Sequence, residues 1–265
     1  MQTEVIKIDP VKAQQFLDSA NYDNRRLRGW WVSSLANAMR RGEWVLTHQG
    51  ISFDSNGRLI DGQHRLAAIV DYGKPIEMVV SKGVDPDAFK VVDSGIKRTI
   101  SDQTHLHKKT AETCRLAGYM VFSGRLSVTA DQCLEIYNSG FGPLHDELIE
   151  FCSGTTQVFS SASVRLCAVI AMMDGISKEY VKSVYSNMIA RNYTDLPSVA
   201  QVFVRQVDSR KIVITNKSEI LVRSEKVFNP DYAEHTRLRG SPADIEATYA
   251  YIRSVLRSAM GVSYE

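Results

Sequence analysis

Residues 51–73 read ISFDSNGRLIDGQHRLAAIVDYG, and this stretch decides the fold of the N-terminal part of the chain. Two short apolar runs, Ile51–Phe53 and Leu59–Ile60, flank Asp54-Ser55-Asn56-Gly57. Asn-Gly between such runs is a strong hairpin signal, because both residues tolerate positive φ in a tight turn. The second strand runs into Asp61-Gly62, after which Leu66, Ala67, Ile69 and Val70 recur at helical spacing. Gly73 with Pro75 beyond it closes that helix. The segment therefore predicts strand, hairpin, strand, tight turn and helix.

The first N–H groups of a helix have no internal partner, and the helix dipole adds positive potential there. Gly62 lets a ligand approach the backbone. Arg65 can fork onto two phosphate oxygens, and His64 can donate, accept or move a proton near neutral pH. Asp61-Gly62-Gln63-His64-Arg65 thus reads as a candidate anion site. The plainer alternative makes Asp61 an N-cap and leaves His64 and Arg65 solvated on the first turn.

The run Asp61-Gly62-Gln63-His64-Arg65 followed by Leu-Ala-Ala resembles the signature of the ParB/sulfiredoxin-like superfamily, most closely the ParB-like domain proteins of phages and mobile elements. Asn24-Arg25, Met39, Gly42-Glu43-Trp44 and Ile51-Ser52-Phe53-Asp54 fit its flanks. Val92-Asp93-Ser94-Gly95 with Lys97-Arg98-Thr99 and Asp102 is similar to its downstream box. The resemblance covers roughly residues 20–105 and implies a small mixed sheet with helices over 1–104; the helical periodicity beyond it predicts a mainly helical domain over 105–265, so the whole chain is expected to be α+β. The resemblance implies that Gly62, Gln63, His64, Arg65, Lys97, Arg98, Thr99, Asn24 and Arg25 surround the phosphates of a nucleotide, ATP or CTP. It further implies hydrolysis or phosphoryl transfer with His64, Arg65 and Asp61 as the reacting set, or else a DNA-binding or DNA-modification accessory module without catalysis of its own. A phage-encoded protein working in the host cytoplasm is the implied setting. The chain lacks the cysteine that sulfiredoxins carry where Gln63 stands, the arginine-rich box and helix-turn-helix of ParB proteins proper, and a Walker A loop.

Lys97, Arg98 and Thr99 beside an Asp-Ser-Gly turn would suit a triphosphate and its Mg²⁺. Asp93 or Asp102 would hold the metal or orient a water. The alternative is that Asp93 caps a turn and that Asp102 caps or pairs at the next helix start.

The chain has 265 residues, 44% of them hydrophobic, and a formal net charge of +2. That is enough for one or two packed domains but not the basic excess of a DNA-coating protein, so any nucleic-acid surface must be a local patch. Cys114, Cys133, Cys152 and Cys167 form no C-x-x-C pair, which predicts free thiols in a reducing compartment rather than a zinc site. Glu4, Lys7 and Asp9 interrupt the N-terminus where a signal peptide needs an apolar core. No run approaches the ~18 apolar residues of a membrane span. A soluble cytoplasmic protein follows as the expectation, with nucleotide as partner and DNA or a second copy of itself as further candidates.

Outside the central stretch, the pattern predicts a strand over 1–10, a helix over 11–20 and a helix over 24–41 capped by Asp23 or Asn24. On the latter, Leu27, Trp30 or Trp31, Leu35, Ala38 and Met39 form one stripe. Its arginines are either a solvated face or a phosphate-contacting one, and Trp30, Trp31 and Trp44 are either core or base-stacking platforms. Ile76–Val80 reads as a strand, 85–89 as a short capped helix and Lys90–Val92 as a further strand. His105-Leu106-His107 is either a metal-binding pair on a strand or a linker. Helices follow over 110–122, 127–138 with Thr129 as cap, 143–153, 160–174, 177–190, 196–207 and 243–260. The segment 160–174, apolar nearly all round, is the expected central helix. Residues 211–223 read as a strand or an irregular excursion. Arg237-Leu238-Arg239-Gly240 reads as a loop able to meet phosphates.

Overall fold

The computed structural model describes residues 1–90, 98–122, 128–213 and 215–261, apart from the side chains of Phe89 and Lys90. Asp93, Lys97 and the Asp-Ser-Gly turn between them lie outside the described residues. The chain divides into two compact units, the first holding residues 1–90 and the second beginning at Arg98.

The first unit is α+β. Strand β1 (Gln2–Ile8) leads into helix α1 (Pro10–Ala20), whose first turn is capped by Asp9 at 2.8 Å from the Lys12 N–H. Helix α2 (Gly29–Arg40) precedes the hairpin β2 (Ile51–Asp54) and β3 (Leu59–Asp61), then helix α3 (Gln63–Tyr72) and strand β4 (Ile76–Val84). The four strands make one mixed sheet in the order β1-β4-β2-β3, with β4 antiparallel to β1 and parallel to β2. Apolar side chains of the sheet and of the three helices close one core around Ile8, Phe53, Leu59, Leu66, Ile69, Met78 and Val80. Phe16 of α1 packs its ring 4.9 Å from that of Phe53.

Three sequence expectations are corrected here. Helix α2 starts at Gly29, not near 24, and neither Asp23 nor Asn24 caps it. Asp23 takes φ +57°. The Asn24 amide instead donates to the Leu59 carbonyl at 2.6 Å and to Asn21 Oδ1 at 2.9 Å. The buried stripe of α2 is accordingly Val32, Leu35, Ala36 and Met39, and it leaves Leu27, Trp30 and Trp31 exposed. In the hairpin only Gly57 adopts positive φ (+82°). Asp54 organises the turn instead, its Oδ1 accepting from the N–H groups of Asn56 (2.9 Å) and Arg58 (2.8 Å). Lys90 ends a 3₁₀ turn over Pro86–Lys90 rather than opening a strand.

The second unit is helical among its described residues. Helix α4 (Ile100–Thr104) packs on α5 (Lys108–Val121) and α6 (Ala130–Ile136). A π turn (Tyr137–Phe141), in which Gly140 takes φ +96°, breaks the path before α7 (Gly142–Phe151). Then come α8 (Ala162–Met173), α9 (Lys178–Ala190), α10 (Ser198–Asp208), α11 (Lys217–Phe228) and α12 (Pro242–Ala259). Every side chain of α8 from Ser163 to Met172 is buried, and α5, α7, α9, α11 and α12 all pack on it. Helix α11 overturns the strand expectation for 211–223. Asn216 caps it by accepting from the Glu219 N–H at 3.2 Å, and Ile220, Leu221 and Val222 all face the core, so β-branching is outweighed by burial.

No helix among the described residues is long and apolar enough to cross a membrane.

Candidate functional site

The start of α3 is built from the strand that feeds it. Gly62 takes φ +101°, a left-handed conformation that turns β3 sharply into the helix. A Cβ there would stand 2.6 Å from Ile51 Cδ1 and 3.1 Å from both the Gly50 carbonyl oxygen and Ile51 Cα. Gly62 is thus required by the turn and by the close approach of β2. Asp61 does not cap the helix, and the N-cap position contributes no side-chain bond to the first turn. Its carboxylate instead meets Arg65 one turn on, Oδ2 to Nη2 at 3.2 Å.

Residues 24–28 lie over this opening, fixed by side chains that point up from α3. The Gln63 amide donates to the Arg25 carbonyl at 2.9 Å, and His64 Nε2 accepts the Arg28 N–H at 3.1 Å. With the Asn24 amide on the Leu59 carbonyl, three side chain–backbone bonds hold the arm. Helix formation over 24–28 would need the Arg25 carbonyl and the Arg28 N–H that two of these bonds take, which explains why α2 begins only at Gly29.

His64 is 7% exposed. Burial lowers its pKa first, the guanidiniums of Arg25, Arg28 and Arg65 lower it further, and Asp61 pulls the other way. The imidazole is therefore neutral near pH 7. Since Nε2 accepts a hydrogen bond, the ring proton is assigned to Nδ1. Base chemistry through Nε2 would first have to release the Arg28 N–H. Gln63 keeps one more feature: its buried Oε1 has no hydrogen-bond partner among the described residues. Nε2 donates to a carbonyl, so the amide orientation follows from the network and the orphan is an acceptor.

The first unit thus brings Asn24, Arg25, Asp61, Gly62, Gln63, His64 and Arg65 together. Arg98 and Thr99 belong to the second unit. Thr99 caps α4 in a reciprocal box with Asp102, whose Oδ2 accepts from the Thr99 N–H and hydroxyl at 2.7 Å each. Those two bonds hold the Asp102 carboxyl below its ordinary pKa, and Asp102 serves as the capping residue. His105 takes φ +58° after α4, and His107 caps α5, its Nδ1 accepting from the Lys109 N–H at 3.2 Å. The two histidines do not lie on a strand. Loop residues 237–240 are tied down, with Leu238 buried and its carbonyl accepting from Gln206 at 2.9 Å. In the sequence Arg28 reads only as one of several arginines over 24–41, and no motif marks the bond from its backbone N–H to His64.

No group of three or more histidine, cysteine, aspartate or glutamate side chains placed to hold a metal occurs among the described residues. No protein-family model, curated protein or solved structure matches the chain.

Proposed function

We propose that the first unit binds a nucleoside triphosphate, ATP or CTP, with its phosphates at the opening of α3, and hydrolyses it or transfers phosphate from it in a DNA-related process. The observation that carries this reading is the convergence of Arg25, Arg28 and Arg65 on a neutral, buried His64 at a helix start with no side-chain cap. Three guanidiniums and uncapped N–H groups stabilise an anion by charge-assisted hydrogen bonds. Neutral His64 adds a donor at Nδ1, which suits holding a phosphate oxygen. The orphan Gln63 Oε1 calls for a donor, which a ribose hydroxyl or a base amino group supplies and inorganic phosphate does not. The resemblance of the 61–65 run to the ParB/sulfiredoxin-like signature points the same way.

Mg²⁺ fits less well. The Asp61 Oδ2 faces Arg65, the Asp102 Oδ2 is spent on Thr99, and Asp93 lies outside the described residues.

Thermal-shift measurement with ATP, CTP, GTP and inorganic phosphate tests the reading. A ligand at about 100 times its Kd adds roughly 2.7 kcal/mol of stability. Stabilisation by a triphosphate, lost in Arg65→Ala, is the expected result; equal stabilisation by phosphate alone, or none by any nucleotide, overturns it.

A further inference from the structure

The α3 opening accounts for Arg25 and Arg28 of the arm but not for Arg26 or for two residues that follow them. Trp30 and Trp31 are 52% and 39% exposed, although indoles are among the costliest side chains to leave in water. Successive helical positions diverge by about 100°, so two adjacent tryptophans both off the buried stripe leave the start of α2 projecting from the unit. Their ring centroids lie 5.6 Å apart with planes inclined at 62°. The pair packs edge to face, which covers part of one ring, and both side chains keep a large share of their surface exposed.

Within the sequence 24–31 the charge is of one sign. Residues 24–31 read Asn-Arg-Arg-Leu-Arg-Gly-Trp-Trp, three arginines without a carboxylate, and the first turn of α2 carries no acidic residue. Arg26 and Arg28 are exposed and form no ion pair among the described residues. Further along α2 the pattern ends: Arg40 pairs with Asp71 at 3.4 Å and Arg41 with Glu43 at 2.6 Å. Unneutralised cations and open indole faces therefore coincide at one end of the helix. The arm is also fixed in place by Gln63 and His64, so a ligand meets it ordered and loses less freedom on binding.

We infer that Trp30, Trp31, Arg26 and Arg28 form a binding surface for single-stranded nucleic acid, with bases stacked on the indoles and the sugar-phosphate backbone tracked by the guanidiniums. Phosphates match the uncompensated positive charge, and base faces match the indoles without any need for sequence-specific contacts. A duplex keeps its base faces stacked inside, so it would use the arginines and leave the tryptophans idle. A protein partner of ordinary composition would have no use for Arg26 and Arg28 without an acid among the described residues to pair with. The surface does not depend on nucleotide binding at α3, and a failure of that reading leaves it standing.

The test is fluorescence anisotropy of the full chain, free of nucleotide, with labelled oligo-dT and oligo-U of about 20 nucleotides and a duplex of equal length. Salt is varied between about 50 and 200 mM. Single strands bind more tightly than the duplex and quench the indole fluorescence. Trp30→Ala and Trp31→Ala each weaken binding about tenfold or more. Trp30→Phe, which keeps a π face, retains most of the affinity, whereas Trp30→Leu, which keeps only apolar bulk, behaves as Trp30→Ala. Arg26→Ala flattens the logarithmic salt dependence by about 0.7. All four positions are exposed, and circular dichroism is the check that the variants fold. The inference is overturned if the duplex binds as tightly as the single strands, if Trp30→Leu binds like the parent chain, or if sedimentation shows the chain self-associating through the patch while oligonucleotides do not bind.

Discussion

The backbone N–H of Arg28 donates to Nε2 of His64 across 36 positions of sequence, at 3.1 Å, and this bond ties the arm before α2 to the first turn of α3. A motif histidine thereby has a structural duty before any chemical one. Removing it leaves a partly buried N–H without an acceptor, which costs about 1–3 kcal/mol. His64→Ala is expected to lower stability by that amount and to raise hydrogen exchange across 24–28, with nucleotide affinity falling together with turnover. If His64→Ala keeps the affinity and loses only turnover, the imidazole acts on the reaction and not through the arm.

Because burial and three guanidiniums lower the His64 pKa, a bound polyphosphate should reverse part of that shift. Anionic oxygens offset the arginine charge and favour the imidazolium. A proton NMR titration of His64 is expected to show a midpoint below 6.5 in the free chain and a higher one with triphosphate bound. By linkage, nucleotide affinity then rises as pH falls through the bound-state midpoint. An unchanged midpoint would place the phosphates elsewhere.

What was legible in the sequence followed from short-range rules. The hairpin, the Gly62 turn and the Gly73 stop are local, and Thr129 caps α6 as the pattern predicts, with Gln132 completing the box. The central helix α8 was legible because a segment apolar on all sides has nowhere to go but the middle of a bundle. The start of α2 was not legible. Its boundary is set by Gln63, His64 and Leu59, residues more than 30 positions away, and no local propensity reports a backbone group taken by a distant side chain. Helix α11 was misread for a related reason: β-branched Ile220 and Val222 favour a strand in isolation and are held helical by burial. The charged cluster on His64 was half legible, because Arg65 sits in the motif while Arg28 arrives only through the folded arm.

The second unit buries a guanidinium. Arg165, on the central helix, donates to Thr113 Oγ1 at 3.0 Å, to the Lys109 carbonyl at 3.2 Å and to the Ser160 carbonyl, with Glu112 at 3.5 Å. Removing it strands buried acceptors and leaves a void. Arg165→Ala is expected to cost about 3 kcal/mol or more, read as a lower urea midpoint with unchanged slope. A cost below about 1 kcal/mol would mean that water replaces the guanidinium.

His145 in α7 makes the same unit sensitive to acid. The ring is fully buried, and neither nitrogen has a hydrogen-bond partner among the described residues. Burial and the Arg165 charge push its pKa down to about 3, while the Asp146 carboxylate at 3.8 Å opposes them. The unfolded chain takes up the proton near pH 6.5, the folded chain only near 3. Stability is therefore complete above pH 6.5 and declines as pH falls through the window between those values. One such group contributes a loss of about 3 kcal/mol between pH 7 and pH 4. Thermal melting between those pH values is expected to show this fall, and His145→Phe, which stacks as the imidazole does on Phe141, should remove most of it. If the mutant melts with the same pH dependence as the parent chain, other groups carry the acid sensitivity.

Gly62 is the residue on which the geometry of the site rests most directly. Any side chain must accept both the left-handed φ of +101° and a Cβ within 3.1 Å of backbone atoms of β2. Ile51 Cδ1, the nearest atom at 2.6 Å, can rotate away, but the Gly50 carbonyl oxygen and Ile51 Cα cannot without moving the strand. Strain at the φ alone costs about 1–3 kcal/mol, and displacement of β2 adds to it. Gly62→Ala is therefore expected to lower stability by about 2 kcal/mol or more in urea unfolding, and to weaken nucleotide binding by tilting the first turn of α3 away from the arginines of the arm. Gly57→Ala serves as the comparison: it also has positive φ, but its Cβ would meet open space, so it should show the backbone cost without the loss of binding. Should Gly62→Ala bind nucleotide as well as Gly57→Ala does, the turn only connects β3 to α3, and the phosphates do not depend on where that helix begins.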